Sequence, residues 1–139
     1  MLTIEKAILL ESVDHFDVVD SERLGSIAAI AEEVVYVAGD VIYEADDASD
    51  AMYLVVDGEV ILRRGEEQIA TAVSRESFGA WALFEATPRM FGAVAGTDCR
   101  LLRIDREDFT DLMAEDINVA QSLLRSVARR LRQLASRVA

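Results

Sequence analysis

Residues 78–95 hold the side chains best suited to binding an anion, because they place one arginine, Arg89, in a segment with two glycines and the chain's only proline and only tryptophan. Gly79 permits a tight backbone turn, residues 81–86 are long enough for about one and a half helical turns, and Pro88 would end that helix. A strand is then predicted to start at Arg89.

Arg89 and the start of this short helix could bind the same anion. Free backbone N–H groups at a helix start favour negative charge, and a guanidinium pairs through two parallel hydrogen bonds with phosphate or carboxylate oxygens. The spacing therefore predicts a phosphate cradle. The alternative is that Arg89 pairs with one of the 26 acidic residues of the chain.

The elements that must position this segment begin with two helices. Apolar residues at helical spacing predict a short helix over residues 2–11, with Thr3 as its N-cap. A second helix is predicted over residues 22–32, capped by Ser21, with Leu24 and Ile27 on one face. We expect that face to lie on a sheet.

After Glu33 the pattern changes to short apolar or alternating runs separated by turn residues, which is typical of an all-β roll or sandwich. The predicted strands are residues 34–37, 41–44, 52–56, 59–64, 68–73, 89–95 and 98–104. Asp57 and Gly58 between two of these runs predict a type I′ hairpin, whose central residues both need positive φ.

The C-terminal residues 117–138 are predicted to form one helix, about 33 Å long at 1.5 Å per residue. Apolar residues recur along it at alternating spacings of three and four. We call these residues the seam: Ile117, Ala120, Leu124, Val127, Leu131, Leu134 and Val138. Leu123, Ala128 and Ala135 widen the stripe, so two roles remain open: packing on the β-roll of the same chain, or parallel pairing with a second copy to form a homodimer.

Residues 78–89 read Phe-Gly-Ala-Trp-Ala-Leu-Phe-Glu-Ala-Thr-Pro-Arg. The order Phe-Gly-x-x-Ala-Leu-x-x-x-x-Pro-Arg resembles the phosphate-binding cassette of the cyclic nucleotide-binding domain family. Residues 39–44 (Gly-Asp-Val-Ile-Tyr-Glu) and 50–60 (Asp-Ala-Met-Tyr-Leu-Val-Val-Asp-Gly-Glu-Val) are similar to that family's Gly-Asp-x-Ile and Met-Tyr-x-Val-x-x-Gly-x-Val. Residues 95–106 and Phe109 resemble its closing strand and the helix behind the cassette, so the resemblance covers nearly the whole chain.

This resemblance implies an α+β, mainly β, fold: a double-stranded, jelly-roll-like β-roll with two N-terminal helices, a short cassette helix and two C-terminal helices. We expect a single domain over residues 1–139, with helices in 2–32, the β-roll in 33–104 and the C-terminal helices in 105–138.

The resemblance also implies roles for cassette residues. In the family, the cassette Arg meets the cyclic phosphate, the acid two positions after the Phe binds the ribose 2′-hydroxyl, and a small residue follows the Arg. Arg89 matches the first, whereas Ala80 replaces the acid and Met90 replaces the small residue. The candidate ligand-binding residues are Phe78, Gly79, Ala80, Trp81, Ala82, Arg89, Met90 and Phe91.

Two cassette aromatics have a second interpretation. Trp81 and Phe91 are favoured as core residues over base-stacking residues, and Phe91 would share the strand face of Arg89. Glu85 and residues 46–50 do not replace the missing acid, because Glu85 lies at the far end of the predicted short helix and residues 46–50 form a solvated loop.

Composition limits the other functions. The net charge of −12 disfavours nucleic acid, and all 26 acidic residues lie in residues 1–116, whereas residues 117–139 hold five Arg and no acid. Direct DNA binding is also not expected because a bacterial transcription factor of this family would carry a helix-turn-helix after the long helix. No apolar run approaches the ~20 residues that span a membrane, and no secretory signal is recognised.

The nucleophiles and metal ligands of the chain are few. Cys99 is interpreted as a half-buried structural residue, which with the absence of a signal suggests a cytoplasmic protein. A metal-binding roll would need several His, but His15 is the only one and is expected to face solvent beside Phe16. Catalysis is therefore not expected, and no cofactor is required.

The sequence thus predicts a non-catalytic regulatory module with weak or lost affinity for cyclic nucleotides. Its possible ligands are cyclic AMP, cyclic GMP or a phosphate-like anion. The alternative is a nucleotide-independent docking or dimerisation module whose pocket is filled by Trp81, Met90 and Phe91. Either module could belong to a larger effector protein.

Overall fold

A computed structural model describes residues 1–138, with the side chains of all but His15 and Val138. The expectation that His15 faces solvent therefore lies outside the described residues. The helices are α1 (Thr3–Leu10), α2 (Ser21–Ile30), α3 (Arg106–Glu115) and α4 (Ile117–Val138), with 3-10 helices at Asp14–Phe16 and Ala80–Leu83.

Eight strands form two four-stranded antiparallel sheets. The strands are β1 (Ala31–Tyr36), β2 (Val41–Tyr43), β3 (Ala51–Asp57), β4 (Val60–Arg64), β5 (Glu67–Ala72), β6 (Ser77–Phe78), β7 (Gly92–Ala95) and β8 (Cys99–Asp105). The strand orders are β1-β8-β3-β6 and β2-β7-β4-β5. The predicted β-roll with two helices before it, a short helix within it and two helices after it is confirmed.

The hairpin predicted at Asp57 and Gly58 is wrong. Strand β3 pairs with β6 and β8, whereas β4 pairs with β5 and β7, so these two residues carry the chain from one sheet to the other. Of these two residues only Gly58 has positive φ, at 95°. A Cβ atom at Gly58 would lie 2.5 Å from the Asp98 carbonyl oxygen. The glycine is needed for the close approach of two chain segments rather than for a two-residue turn.

Both predicted N-caps are displaced by one residue. The cap of α1 is Leu2, not Thr3, and the cap of α2 is Asp20, not Ser21. The Asp20 carboxylate accepts a hydrogen bond from the Arg23 backbone N–H at 3.0 Å and another from the Arg23 guanidinium. These bonds lower the pKa of Asp20 and explain why it is the better cap.

The face of α2 packs on the first sheet, as predicted. Leu24 and Ile27 are buried in one cluster with Met52 and Leu102 of strands β3 and β8. A second cluster fills the interior of the roll, and it includes the Cys99 side chain, which is buried rather than half-buried. Burial raises the pKa of the Cys99 thiol, in keeping with a structural role.

Helix α4 packs on the rest of the chain with a face other than the seam. Val119 and Leu123 are buried, and Ser126 is buried with its hydroxyl donating to Asp17 at 2.9 Å. The seam residues Ile117, Leu124, Val127, Leu131 and Leu134 are 48–68% exposed. Packing on the same β-roll is therefore not the role of the seam, whose last residue, Val138, lies outside the described side chains.

Candidate functional site

The segment from Phe78 to Phe91, called the cassette below, connects β6 to β7. Its helix is a 3-10 helix over Ala80–Leu83, shorter than the predicted residues 81–86. The strand predicted to start at Arg89 is also wrong, since β7 begins at Gly92. The Arg89 backbone instead pairs with a neighbouring loop: its N–H donates to the Asp47 carbonyl at 2.7 Å, and its carbonyl accepts from Asp46 at 2.8 Å.

Gly79 caps the cassette helix in the left-handed conformation, with φ at 72°. A Cβ atom at this position would lie 2.5 Å from Nη1 of Arg89 and 3.4 Å from the Tyr43 hydroxyl. A side chain here would force the guanidinium to move, because the 2.5 Å contact is far below van der Waals distance, and the positive φ also favours glycine.

The Arg89 side chain is only 6% exposed, which is rare for a charged group. Its Nη2 donates to the Ala51 carbonyl at 2.6 Å, and its Nη1 donates to the Gly79 carbonyl at 3.4 Å. The guanidinium also lies 4.0 Å from the ring centroid of Tyr43, a cation–π contact that is strongest when desolvated. Its Nε is buried and has no hydrogen-bond partner among the described residues.

Asp50 lies near Arg89, with 3.7 Å between its Oδ1 and Nη2. Residues 46–50 were predicted to be a solvated loop, and this interpretation fails only at Ser49, which is buried and donates to the Thr87 carbonyl at 2.5 Å. Asp50 is exposed as predicted, but it also pairs with Arg89 and Arg103. The alternative interpretation, in which Arg89 pairs with an acidic residue, is therefore correct in part. The Asp50 side chain is 64% exposed, so solvent screens this pair.

A cavity of about 510 Å³ lies beside the cassette, within the usual size of small-molecule sites. Its lining residues are Tyr43, Ser49, Leu62, Ser77, Phe78, Gly79, Trp81, Ala82, Glu85, Thr87, Pro88, Arg89, Met90 and Phe91. The structure therefore gathers seven of the eight candidate residues around one cavity. Ala80 starts the cassette helix but does not line the cavity.

Trp81 and Phe91 are not core residues. The Trp81 side chain is 76% exposed, and Phe91 is half-buried at the cavity wall. Met90 is 69% exposed, so these three side chains border the cavity without filling it. The filled pocket of the alternative module is not observed. The 3-10 helix buries Ala82 and Leu83 and leaves Trp81 on its exposed side. The apolar character of the segment did not indicate which of its residues would be exposed.

Tyr43 was missed as a site residue. It ends β2 and stands under the Arg89 guanidinium, and burial raises the pKa of its phenol. The available signal was the tyrosine directly after the Gly-Asp-x-Ile pattern, but which face of a three-residue strand points inward cannot be read from so few residues.

The cassette also contacts the helices that follow the roll. Arg106, the first residue of α3, donates from Nη1 to the carbonyls of Ser49, Ala82 and Glu85 at 2.5, 3.3 and 3.4 Å. The Phe84 ring meets Phe109 edge-on with 6.2 Å between centroids. Phe109 also stacks on Phe16, with 6.1 Å between the ring centroids. The next residue, Asp17, accepts a hydrogen bond from Ser126 of α4.

Among the residues whose side chains the structure describes, no cluster of His, Cys, Asp and Glu could hold a metal ion, and no described helix is long and apolar enough to cross a membrane.

Comparison with known proteins gives one consistent result. Residues 33–116 match the family model described as cyclic nucleotide-binding domain. A CRP-like cAMP-activated global transcriptional regulator of Mycobacterium tuberculosis is 25% identical over 136 residues, which are 94% of this chain and 61% of that protein. The cAMP-dependent protein kinase regulatory subunit of Schizosaccharomyces pombe is 29% identical over 115 residues, 82% of this chain and 28% of that protein.

A solved structure is also similar. The N-terminal domain of a transcriptional regulator from Streptomyces coelicolor superposes with a TM-score of 0.85 at 30% identity, covering 91% of this chain and 94% of that one. The chain thus spans less than two thirds of the length of the first two relatives and nearly all of the length of this N-terminal domain.

Proposed function

The chain belongs to the cyclic nucleotide-binding domain family, and from this premise we propose that residues 1–139 form one non-catalytic regulatory domain whose cassette binds an anion through Arg89. The observation that carries the proposal is the buried Arg89 guanidinium at the wall of an open cavity. Two of its five N–H groups are used on backbone carbonyls, and Nε has no partner among the described residues. A phosphate in the cavity could accept from the N–H groups of Nη1 and Nη2 that these carbonyls do not use.

We further propose that cyclic nucleotides bind weakly. The family's ribose contact comes from an acid at the position of Ala80, and Ala80 offers no acceptor side chain. A hydrogen bond to a charged group contributes about 1.5–3 kcal/mol, so its loss corresponds to roughly a tenfold to hundredfold loss of affinity. We therefore expect dissociation constants for cyclic AMP and cyclic GMP weaker than about 1 μM.

Occupancy of the cavity could reach the C-terminal helices through the contacts of Phe84 and Phe109. Replacing Phe84 by Ala removes the edge-on ring contact to Phe109 without touching Arg89. We expect Phe84→Ala to keep cyclic AMP affinity within about threefold, since each such aromatic pair contributes roughly 0.5–1.5 kcal/mol and this one lies outside the cavity. The same variant should weaken any effect of ligand on amide exchange in α4. Unchanged ligand-dependent exchange would exclude this route.

Inorganic phosphate should raise the melting temperature of the protein more than chloride does at equal ionic strength. A ligand that binds only the folded state stabilises it in proportion to its occupancy, whereas the general effect of salt is matched by the chloride control. In Arg89→Met the excess should disappear. An equal excess in the variant would place the phosphate elsewhere and remove the anion site from this account.

The glycine cap provides an independent test of the same site. Gly79→Ala and Gly65→Ala both put alanine at positive φ, 72° and 62°, which costs about 1–2 kcal/mol of folding free energy each. Nothing lies within 4 Å of the Cβ position at Gly65, whereas at Gly79 the new Cβ displaces the Arg89 guanidinium. Urea unfolding should therefore show the larger loss of stability for Gly79→Ala, and the phosphate effect should vanish only in that variant. Equal phosphate effects would contradict the placement of Arg89.

A second candidate function is dimerisation through α4. The observation that favours it is the exposed seam, where four Leu and Val side chains at alternating spacings face solvent: Leu124, Val127, Leu131 and Leu134. We propose that two copies pair in parallel along this seam. Pairing and anion binding are compatible, because the buried face of α4 and the cassette are separate from the seam.

A further inference from the structure

We infer that the cavity also accepts organic monocarboxylates with an apolar body, such as medium-chain fatty acids, and binds them at least as tightly as cyclic AMP. The inference rests on the proposed anion site at Arg89. It adds a ligand class that is defined by what surrounds Arg89 in this chain.

The cavity wall offers one buried positive charge to a small anionic group. Among the lining residues only Arg89 and Glu85 are charged, and Arg89 is the buried one. One N–H on each terminal nitrogen of Arg89 is not used in the hydrogen bonds to Gly79 and Ala51, and the Asp50 carboxylate, 3.7 Å from Nη2, is exposed and screened by solvent. A carboxylate has two acceptor oxygens spaced to match two adjacent guanidinium donors. The site can therefore hold a single carboxylate as fully as it holds a phosphate.

The rest of the wall is largely apolar. Leu62, Phe78, Pro88 and Phe91 line the cavity, and the Trp81 and Met90 side chains border it while 76% and 69% exposed. A hydrocarbon body lying against these side chains would remove apolar surface from water on both partners. Large exposed apolar side chains grouped around a cavity are a common feature of sites for such ligands.

A sugar gains less from this wall. The acid that would bind a ribose hydroxyl is absent at Ala80, and the buried Ser49 hydroxyl already donates to the Thr87 carbonyl. A ribose hydroxyl that loses water without a new partner opposes binding, whereas a hydrocarbon chain has no polar group to desolvate. Ala80 and Met90, which differ from the family's cassette and are expected to weaken nucleotide binding, thus do not oppose the binding of an apolar acid.

The test is calorimetric titration of the full chain with octanoate, acetate, 1-octanol and cyclic AMP under the same conditions. Octanoate should bind at least tenfold more tightly than acetate and at least as tightly as cyclic AMP, and 1-octanol should not bind measurably. Arg89→Met should remove octanoate binding. Trp81→Ala, which changes an exposed side chain and should fold, is expected to weaken octanoate binding severalfold.

Other outcomes separate this inference from the function it rests on. If phosphate or cyclic AMP binds through Arg89 but octanoate binds no better than acetate, the inference is wrong and the proposed function stands. If no anion binding depends on Arg89, the proposed function fails as well. If octanoate binding survives Arg89→Met but is lost in Leu124→Glu with Leu131→Glu, the acid binds the exposed seam, and the inference is overturned.

Discussion

Leu124→Glu combined with Leu131→Glu should convert a homodimer into a monomer without unfolding the β-roll. The two side chains are 68% and 62% exposed in the single chain, so charging them does not disturb its own packing. In a paired seam each glutamate would be buried against its counterpart, and an isolated buried carboxylate costs several kcal/mol. Light scattering should give the mass of two chains for the wild type and of one chain for the variant.

The matched control adds the same charge to α4 outside the seam. Gln121→Glu with Gln133→Glu introduces two carboxylates at exposed positions of the same helix. This control should remain dimeric. The wild-type dimer should also tighten as salt rises, because residues 117–139 carry five Arg and no acid, and the screening length falls from ~10 Å at ~0.1 M to ~3 Å at ~1 M. A wild type that is monomeric at both salt levels would remove dimerisation from the account.

Ala80→Glu combined with Met90→Ala should improve cyclic AMP affinity at least about tenfold, the lower end of the range for a hydrogen bond to a charged group. The glutamate restores the acid that the family places against the ribose 2′-hydroxyl, and alanine restores a small residue after Arg89. The gain should depend on that hydroxyl. The variant should therefore bind 2′-deoxy cyclic AMP about tenfold less tightly than cyclic AMP, whereas the wild type should bind the two nearly equally.

The charge-matched control is Ala86→Glu with Met90→Ala. Residue 86 is exposed and lies beyond the cassette helix, so its glutamate adds charge near the cavity without the family's geometry. This control should not gain affinity or distinguish the deoxy ligand. If the Ala80 variant folds and gains nothing either, the cavity excludes the nucleotide for another reason, and Phe91 at its wall is the first side chain to remove.

The order of helices and strands could be predicted from the sequence because it depends on local patterns. The alternation of apolar and polar residues located seven of the eight strands, and the long apolar repeat located α4 with the bounds that the structure has. Strand β6 was missed because two residues, Ser77 and Phe78, carry no periodicity.

What the sequence could not predict depends on contacts between distant segments. The Asp57 and Gly58 turn has the local sequence of a hairpin. However, β3 pairs with β8 and β4 pairs with β7, so the two strands beside the turn belong to different sheets. The same limit applies at the site: Tyr43 and Ala51 reach Arg89 from positions 46 and 38 residues earlier in the chain. The cassette could be located by its motif, whereas the partners of its arginine could not.

Calorimetric titration of wild type, Arg89→Lys and Arg89→Met with cyclic AMP tests most directly whether Arg89 forms an anion site with weakened nucleotide affinity. We expect a wild-type dissociation constant weaker than about 1 μM, a further loss in Arg89→Lys, which keeps the charge but not the two-pronged geometry, and no measurable heat in Arg89→Met. A submicromolar constant in the wild type, or a heat of binding that is unchanged in Arg89→Met, would contradict this assignment of Arg89.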